Sequence, residues 1–369
     1  TALRKSIKAE IEAGLAIAYE EPRPSVDLAK ELNDVYAPGE VALVPAGDDA
    51  KEIRFVDAIS EGLREGMRKH DKLILMGQDI ADYGGVFKIT DGFVEEFGKD
   101  RVRNTTLCES AILGIGLGLS IKGWKAMVEM QFADFVSVGF NQIVNNLAKL
   151  HYRWGQAADV VVRMPCGGGV GAGPFHSQSN EAWFFHTPGL KIVYPSNPVD
   201  AKGLLIAALD DPNPVLFFEH KGLYRKISAP VAEGYYTTEI GKAQLVTSGA
   251  EMSIITYGMG VHWAQAAAQE LGIDADILDL RTLLPLDYAA IKETVIKTGK
   301  VIVLHEATLT GGVGAEIAAY ISEQLFEHLD GPVTRVASLD TPVPFAPELE
   351  EQFLPQQRLL EKMASLRAY

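Results

Sequence analysis

A carboxyl group at Glu109 and an imidazole at His176 are the two groups in this chain whose surroundings best suit proton chemistry. His176 stands in Gly173-Pro174-Phe175-His176-Ser177-Gln178-Ser179, after the glycine-rich approach Cys166-Gly167-Gly168-Gly169-Val170-Gly171-Ala172-Gly173-Pro174. Glycine lets a backbone turn sharply and come close to a ligand, and an imidazole titrates near neutral pH. A histidine delivered by such a loop is placed for general acid or base work. Met alone, the same residue reads as a capping or core histidine. Glu109, in Leu107-Cys108-Glu109-Ser110-Ala111, leads into a run of glycine and alanine, where a lone carboxylate would merely serve a helix dipole. His151, His186, His220 and His305 have no comparable setting.

The elements that must hold these groups alternate between helix and strand. Residues 55–69 carry Phe55, Ile59, Leu63 and Met67 on one helical face. Buried strands are expected at 73–76, 126–130, 160–162, 190–194 and 215–218, and helices at 111–122, 135–151 and 198–209. Strands separated by helices imply a parallel sheet covered on both faces. A second unit of the same kind begins near Gly241, with strands at 252–257, 275–280, 301–305 and 334–336 and helices at 261–271 and 315–326. The loop 229–236 divides the two. The expected organisation is α/β: an arm at 1–50, a doubly wound domain at 51–235 and a second at 236–369. Ile7, Ile11, Leu15 and Ala18 give the arm a short amphipathic helix, and 26–35 suggests another.

Bulk properties exclude several classes. The 369 residues are 47% hydrophobic and 22% charged, which is globular composition. A net charge of -15 with no basic face argues against a nucleic-acid partner. No apolar run approaches the roughly 20 residues of a membrane span. Two cysteines without metal-like spacing fit a reducing compartment. No P-loop and no Gly-x-Ser-x-Gly elbow occurs, and Gly114-x-Gly116-x-Gly118 falls inside a helix rather than in a dinucleotide-binding turn.

Several motifs in order point further: Gly77-Gln78-Asp79-Ile80, Leu107-Cys108-Glu109-Ser110, Glu129-Met130-Gln131-Phe132-Ala133-Asp134-Phe135 and His176-Ser177-Gln178-Ser179. Pro188-Gly189-Leu190-Lys191-Ile192-Val193, Asp279-Leu280-Arg281-Thr282, His305-Glu306-Ala307 and Thr310-Gly311-Gly312 follow. From about Glu52 to Leu360 the chain resembles the β subunits of the thiamine-diphosphate-dependent 2-oxoacid dehydrogenases. The resemblance implies a pyrimidine-binding fold followed by a transketolase C-terminal-like domain. It also implies a cofactor shared between subunits, with an α partner holding the diphosphate through Mg²⁺. The Gly-Asp-Gly motif that does so is absent here. Residues 8–37 look similar to the tail of an α subunit, so the expectation is the β half of a fused chain or a β subunit with an extension.

Matched onto the family, Glu109 drives the imino form of the aminopyrimidine by a hydrogen bond to its ring nitrogen. Partial burial favours the neutral form of such a carboxyl, which can then share that proton. Phe135 stacks on the same ring, the backbone at Leu107 meets its polar edge, and Gln131 points toward it; Phe135 could instead be core and Gln131 could serve a neighbouring strand. His176 orients the acid's carboxylate and assists acyl transfer to a lipoyl arm. Some relatives hold a structural K⁺ with the backbone at positions matching Val160, Ala208, Asp211 and Asn213, although Asp210-Asp211-Pro212-Asn213 also reads as a plain turn. The implied activity is oxidative decarboxylation of 2-oxoacids. Phe217-Phe218-Glu219, Leu223-Tyr224-Arg225 and the segment His305 to Gly312 lean toward branched-chain substrates over pyruvate or acetoin. Implied partners are the α part, a second β copy and the lipoyl transacylase, in a heterotetramer or a dimer of fused chains. The implied location is the cytoplasm of a bacterium or the matrix of a mitochondrion. A transketolase-like enzyme half and a non-catalytic docking subunit are the readings from other classes.

Overall fold

The computed structural model describes residues 1–369 and divides them into two compact units, Thr1–Val35 and Tyr36–Tyr369. The first unit is helical. Ala2–Glu20 forms one helix whose residues are all exposed, including Ile7, Ile11 and Leu15. Leu28–Asn33 forms a second, begun by Asp27, whose carboxylate accepts the Lys30 N–H at 3.1 Å.

Residues 36–49, expected to belong to the arm, are part of the second unit. The Tyr36 hydroxyl donates to the Leu190 carbonyl at 3.0 Å, and the Ala37 N–H donates to Asn213 Oδ1 at 2.7 Å. Beyond them the chain supplies β1 (Ala50–Arg54), β2 (Leu73–Gly77), β3 (Val102–Asn104), β4 (Lys125–Glu129), β5 (Val160–Cys166), β6 (Lys191–Val193), β7 (Val215–His220) and β8 (Ser228–Ala232). Then come β9 (Gln244–Thr247), β10 (Met252–Thr256), β11 (Ala275–Asp279), β12 (Thr282–Leu284), β13 (Val301–Thr308) and β14 (Thr334–Ser338).

A seven-stranded sheet runs β12-β6-β7-β5-β4-β2-β3 and a five-stranded sheet runs β14-β13-β10-β11-β9. Only the edge strands β12 and β9 are antiparallel to their neighbours. β2 and β5 are buried along their whole length, as apolar runs covered on both faces must be. The helix Phe55–Lys69 turns Phe55, Ile59, Leu63 and Met67 fully inward, as its 3.6-residue periodicity requires. Two α/β layers therefore form as the residue pattern predicts. Two features were not legible. The segment 229–236, read as a divider, holds most of β8, which pairs antiparallel with β1. And β12, from the later half of the chain, closes the edge of the first sheet against β6.

The long helix expected over 135–151 is three shorter pieces: a 3₁₀ helix at Ala133–Gly139, a π-helical turn at Gln142–Leu147 and an α-helix at Leu150–Trp154. The first piece packs closely. A Cβ at Gly139 would lie 2.2 Å from Leu113 Cδ1 and 3.5 Å from the Glu109 carbonyl oxygen. At Gly139 the segment lies flush against the helix Glu109–Ile121.

Candidate active site

In open parallel sheets, ligands bind beyond the carboxyl ends of the strands. Of the loops that leave the large sheet at that end, those after β2, β3, β4 and β5 carry every residue singled out for the cofactor or its chemistry. Gln78 and Asp79 follow β2, Leu107 and Glu109 follow β3, and Gln131 to Phe135 follow β4. The glycine loop and His176 follow β5, and Tyr224 follows β7.

Glu109 is the first residue of its helix, buried, and its Oε1 accepts a hydrogen bond from Gln78 Nε2 at 3.3 Å. Leu107 sits in the bend just before it and is exposed. The next residue along from Gln78, Asp79, accepts from Gln131 Nε2 at 3.4 Å. Asp79 holds a left-handed backbone (φ 59°), uncommon for a residue with a side chain and frequent at functional sites. The pair Gln78-Asp79 thus bridges Glu109 to Gln131.

From Gln131 the chain passes into an aromatic cluster. The His176 ring stands edge-on to Phe132 at 4.8 Å and to Phe135 at 5.4 Å between centroids, and Phe132 meets Phe135 edge-on at 5.6 Å. Phe132 continues edge-on to Phe87 at 5.7 Å, and Phe87 to Tyr224 at 4.9 Å. Phe132 also lines a largely apolar recess of about 300 Å³ with Phe87, Val170, Ala172 and Tyr224, to which Lys221, Arg225 and Lys226 also contribute. The 3₁₀ helix bearing Phe135 packs on the helix that starts at Glu109, so Phe135 faces one group and its helix abuts the other. Glu109, Gln131, Phe135 and His176 therefore share one contiguous region, joined by Gln78, Asp79 and Phe132. Those three lie in the quoted motifs, but nothing in their residue type set them apart.

Beneath this region lies a buried ion network that sequence reading missed. Arg163, fully buried on β5, donates to Glu129 on β4 at 2.6 Å and to both oxygens of Glu219 on β7 at 2.6 and 2.7 Å. The Tyr224 hydroxyl donates to Glu219 at 2.6 Å. Burial pushes the Glu129 carboxyl up against the pull of Arg163. Burial also opposes the charge on Arg163, but Glu219 and Glu129 outweigh it and raise the guanidinium's pKa. The available signal was one charged residue inside the apolar run Val160-Val161-Val162-Arg163-Met164.

His305, the histidine of the later motif, is fully buried, and burial depresses its pKa to about 4. The neutral ring donates through Nδ1 to the Ala307 carbonyl at 3.1 Å, a structural use. The four positions matched to an ion gather where β5 begins and the helix Pro198–Asp210 ends. Asp211 Oδ1 accepts from the Asn213 N–H at 2.9 Å and from Asn213 Nδ2 at 3.0 Å, while Oδ2 accepts from the Lys191 ammonium. Asn213 Oδ1 is committed to Ala37. The side-chain oxygens are engaged within the protein, which leaves backbone carbonyls as donors for a hard cation. Ala208 lies in a last helical turn, where carbonyls lack intrahelical partners.

A thiamine-type ring system fits the donor set on three counts. The Glu109 carboxyl is buried and takes a hydrogen bond from Gln78, planar side chains stand at Phe132 and Phe135, and the His176 imidazole packs edge-on against both.

Residues 51–226 match the transketolase pyrimidine-binding domain and residues 241–359 the transketolase C-terminal domain. Over 308 residues the chain is 47% identical to the 2-oxoisovalerate dehydrogenase subunit beta of Bacillus subtilis, covering 81% of this chain and 94% of that protein. The corresponding subunit of Pseudomonas aeruginosa is 41% identical over 331 residues, with 83% and 94% covered. The pyruvate dehydrogenase E1 component subunit beta of Bacillus subtilis is also 41% identical, with 83% and 96% covered. Among solved structures, a split-gene transketolase described as an inactive β4 tetramer superposes with a TM-score of 0.69 at 20% identity, covering 86% of this chain and 99% of that one. That likeness is one of fold. No helix of the chain is long and apolar enough to cross a membrane.

Proposed function

Because the chain belongs to the family of 2-oxoacid dehydrogenase β subunits built from transketolase-type domains, we propose that it completes, with an α part, an active site for oxidative decarboxylation of branched-chain 2-oxoacids. The acyl group would pass to a lipoyl arm of a transacylase partner. The observation that carries the reading is the single contiguous region joining Glu109 to His176 through Gln78, Asp79, Gln131 and the aromatic cluster.

Thiamine diphosphate, with its diphosphate and Mg²⁺ held by the α part, would supply the electron sink for loss of carbon dioxide. Glu109 would hold a proton at its carboxyl toward the pyrimidine, with Gln78 fixing its orientation. Phe135 and the backbone at Leu107 would confine that ring, with Gln131 beside them. His176, braced edge-on by Phe132 and Phe135, would orient the carboxylate of the acid and donate a proton during acyl transfer; such help is typically worth about 10²–10⁴ in rate. A K⁺ ion on the carbonyls of Val160, Ala208, Asp211 and Asn213 would brace the start of β5 without entering the chemistry. The assembly would be two α and two β parts, or a dimer of fused chains, built about a two-fold β–β contact. Its location would be the cytoplasm of a bacterium or the mitochondrial matrix.

The branched-chain preference rests on the relatives named as 2-oxoisovalerate dehydrogenase subunits and on the apolar recess lined by Phe132, whose ring packs on His176. Pyruvate is the second reading, because a pyruvate dehydrogenase subunit is 41% identical. The test is decarboxylation by the complete enzyme with 3-methyl-2-oxobutanoate and with pyruvate. The two added methyl groups in an apolar pocket give a kcat/KM ratio of at least about tenfold in favour of the branched acid. Equal rates would overturn the preference. Full turnover by Glu109→Gln would overturn the catalytic reading and leave a docking subunit.

A further inference from the structure

We infer that Glu306 and Glu350, two carboxylates of the C-terminal domain, are positioning residues that grip the glycine loop carrying His176. The inference rests on the reading of His176 as the group that meets substrate.

The loop has a repeating backbone. Gly167, Gly169, Gly171 and Gly173 have φ of 89°, 76°, 68° and 71°, and the residues between them are not left-handed. Alternating handedness turns successive N–H groups toward one concave side, which is how a backbone nest binds an anion. Here the anions belong to the chain itself. The Gly168 N–H donates to Glu306 Oε1 at 2.6 Å. The Gly169 N–H donates to Glu350 Oε1 at 2.9 Å, and the Gly171 N–H to Glu350 Oε2 at 3.0 Å. Both carboxylates are buried, Glu306 on β13 and Glu350 on the helix Pro347–Phe353.

Glu306 reaches beyond the loop's start. Its Oε1 also accepts from the Ser179 hydroxyl at 3.3 Å, so one oxygen ties the chain before and after His176. Its Oε2 is hydrogen-bonded to His220 Nε2. Burial alone would raise the Glu306 carboxyl; His220 and the Gly168 N–H more than offset that and hold it ionised. From the pyrimidine-binding side, Lys221 Nζ donates to the Gly167 carbonyl at 2.6 Å.

Close approach leaves the loop little freedom. A Cβ at Gly168 would lie 3.3 Å from Glu350 Oε1, and one at Gly173 would lie 2.2 Å from the ring of Phe345. Glycine loses more freedom on ordering than any other residue, and this loop has few side chains with which to anchor itself. The order must come from the partners of its N–H groups, which lie 138 and 181 positions away in sequence. The C-terminal domain thereby sets where the imidazole stands.

The experiment uses the chain assembled with its α part and compares Glu350→Gln and Glu306→Gln with the exposed control Glu351→Gln. Circular dichroism checks the fold, and Glu350→Gln alone carries the test if Glu306→Gln does not fold. Amide hydrogen exchange should speed up at least about tenfold at Gly169 and Gly171 in Glu350→Gln and at Gly168 in Glu306→Gln, since their hydrogen bonds lose the carboxylate charge. The kcat should fall about tenfold to hundredfold with substrate KM little changed, as for a catalytic group displaced by about 1 Å. In a His176→Ala background Glu350→Gln should cost nothing further, because both act through one imidazole. Unchanged loop exchange, or losses that multiply with that of His176→Ala, would overturn the inference. Should His176→Ala keep full turnover, the reading of the imidazole fails, and loop exchange still decides whether the carboxylates hold the loop.

Discussion

Glu181 lies five residues beyond His176 and is fully buried. Its Oε1 accepts from the Tyr257 hydroxyl at 2.7 Å, while Oε2 has no partner. Burial outweighs the stabilising hydrogen bond from Tyr257, with Glu306 adding to the rise, and pushes the carboxyl up from 4.5 to about 7. Between those values the folded chain retains a proton that the unfolded chain has released. The fold is therefore weakened as pH rises through that window, and the penalty is complete above about 7. At about 1.4 kcal/mol per pKa unit, moving from about pH 5 to about pH 8 removes about 2.5 kcal/mol through this one group. Glu181→Gln cannot titrate. It keeps a carbonyl for Tyr257 and replaces a neutral carboxyl with a neutral amide, so near pH 5 it should match the parent within about 1 kcal/mol. By about pH 8 its advantage should have grown by about 2.5 kcal/mol. Guanidinium unfolding of both chains at the two pH values measures this, and titrating groups distant from Glu181 cancel in the difference. Parallel stability–pH curves for the two chains would show that Glu181 is ionised in the folded state at neutral pH, and the burial argument would fail.

Arg163→Met leaves Glu129 and Glu219 buried without their shared cation and should cost about 3–5 kcal/mol in denaturant unfolding; a loss below about 1 kcal/mol would mean that the carboxylates find other partners. Asn213→Ala removes both hydrogen bonds to the backbone of Ala37, so limited proteolysis within residues 36–49 should become at least about fivefold faster while cleavage elsewhere is unchanged.

Much of this protein was legible in one dimension because the deciding forces are local. The face Phe55, Ile59, Leu63 and Met67 follows from helical period alone, and the buried strands follow from apolar runs that only a two-faced burial explains. The motifs around Glu109, Phe135 and His176 are short, contiguous and chemically specific, so the pyrimidine-binding and C-terminal folds could be expected from them. Tertiary structure decided whatever depends on residues far apart in the chain. The close fit of 133–139 on the helix Glu109–Ile121, where Leu113 occupies the space a Cβ at Gly139 would need, joins residues far apart in sequence. The pairing of β12 with β6 joins the two halves at a sheet edge, which no periodicity within either half encodes. Arg163, an isolated charge in an apolar strand, acquires meaning only when β4 and β7 bring Glu129 and Glu219 beside it. The same holds for Glu306 and Glu350, ordinary acidic residues until a glycine loop turns its N–H groups toward them. Propensity, periodicity and motif chemistry act between neighbours in sequence, whereas the pairing of buried charge is set by which elements pack together, and that is a property of the folded chain.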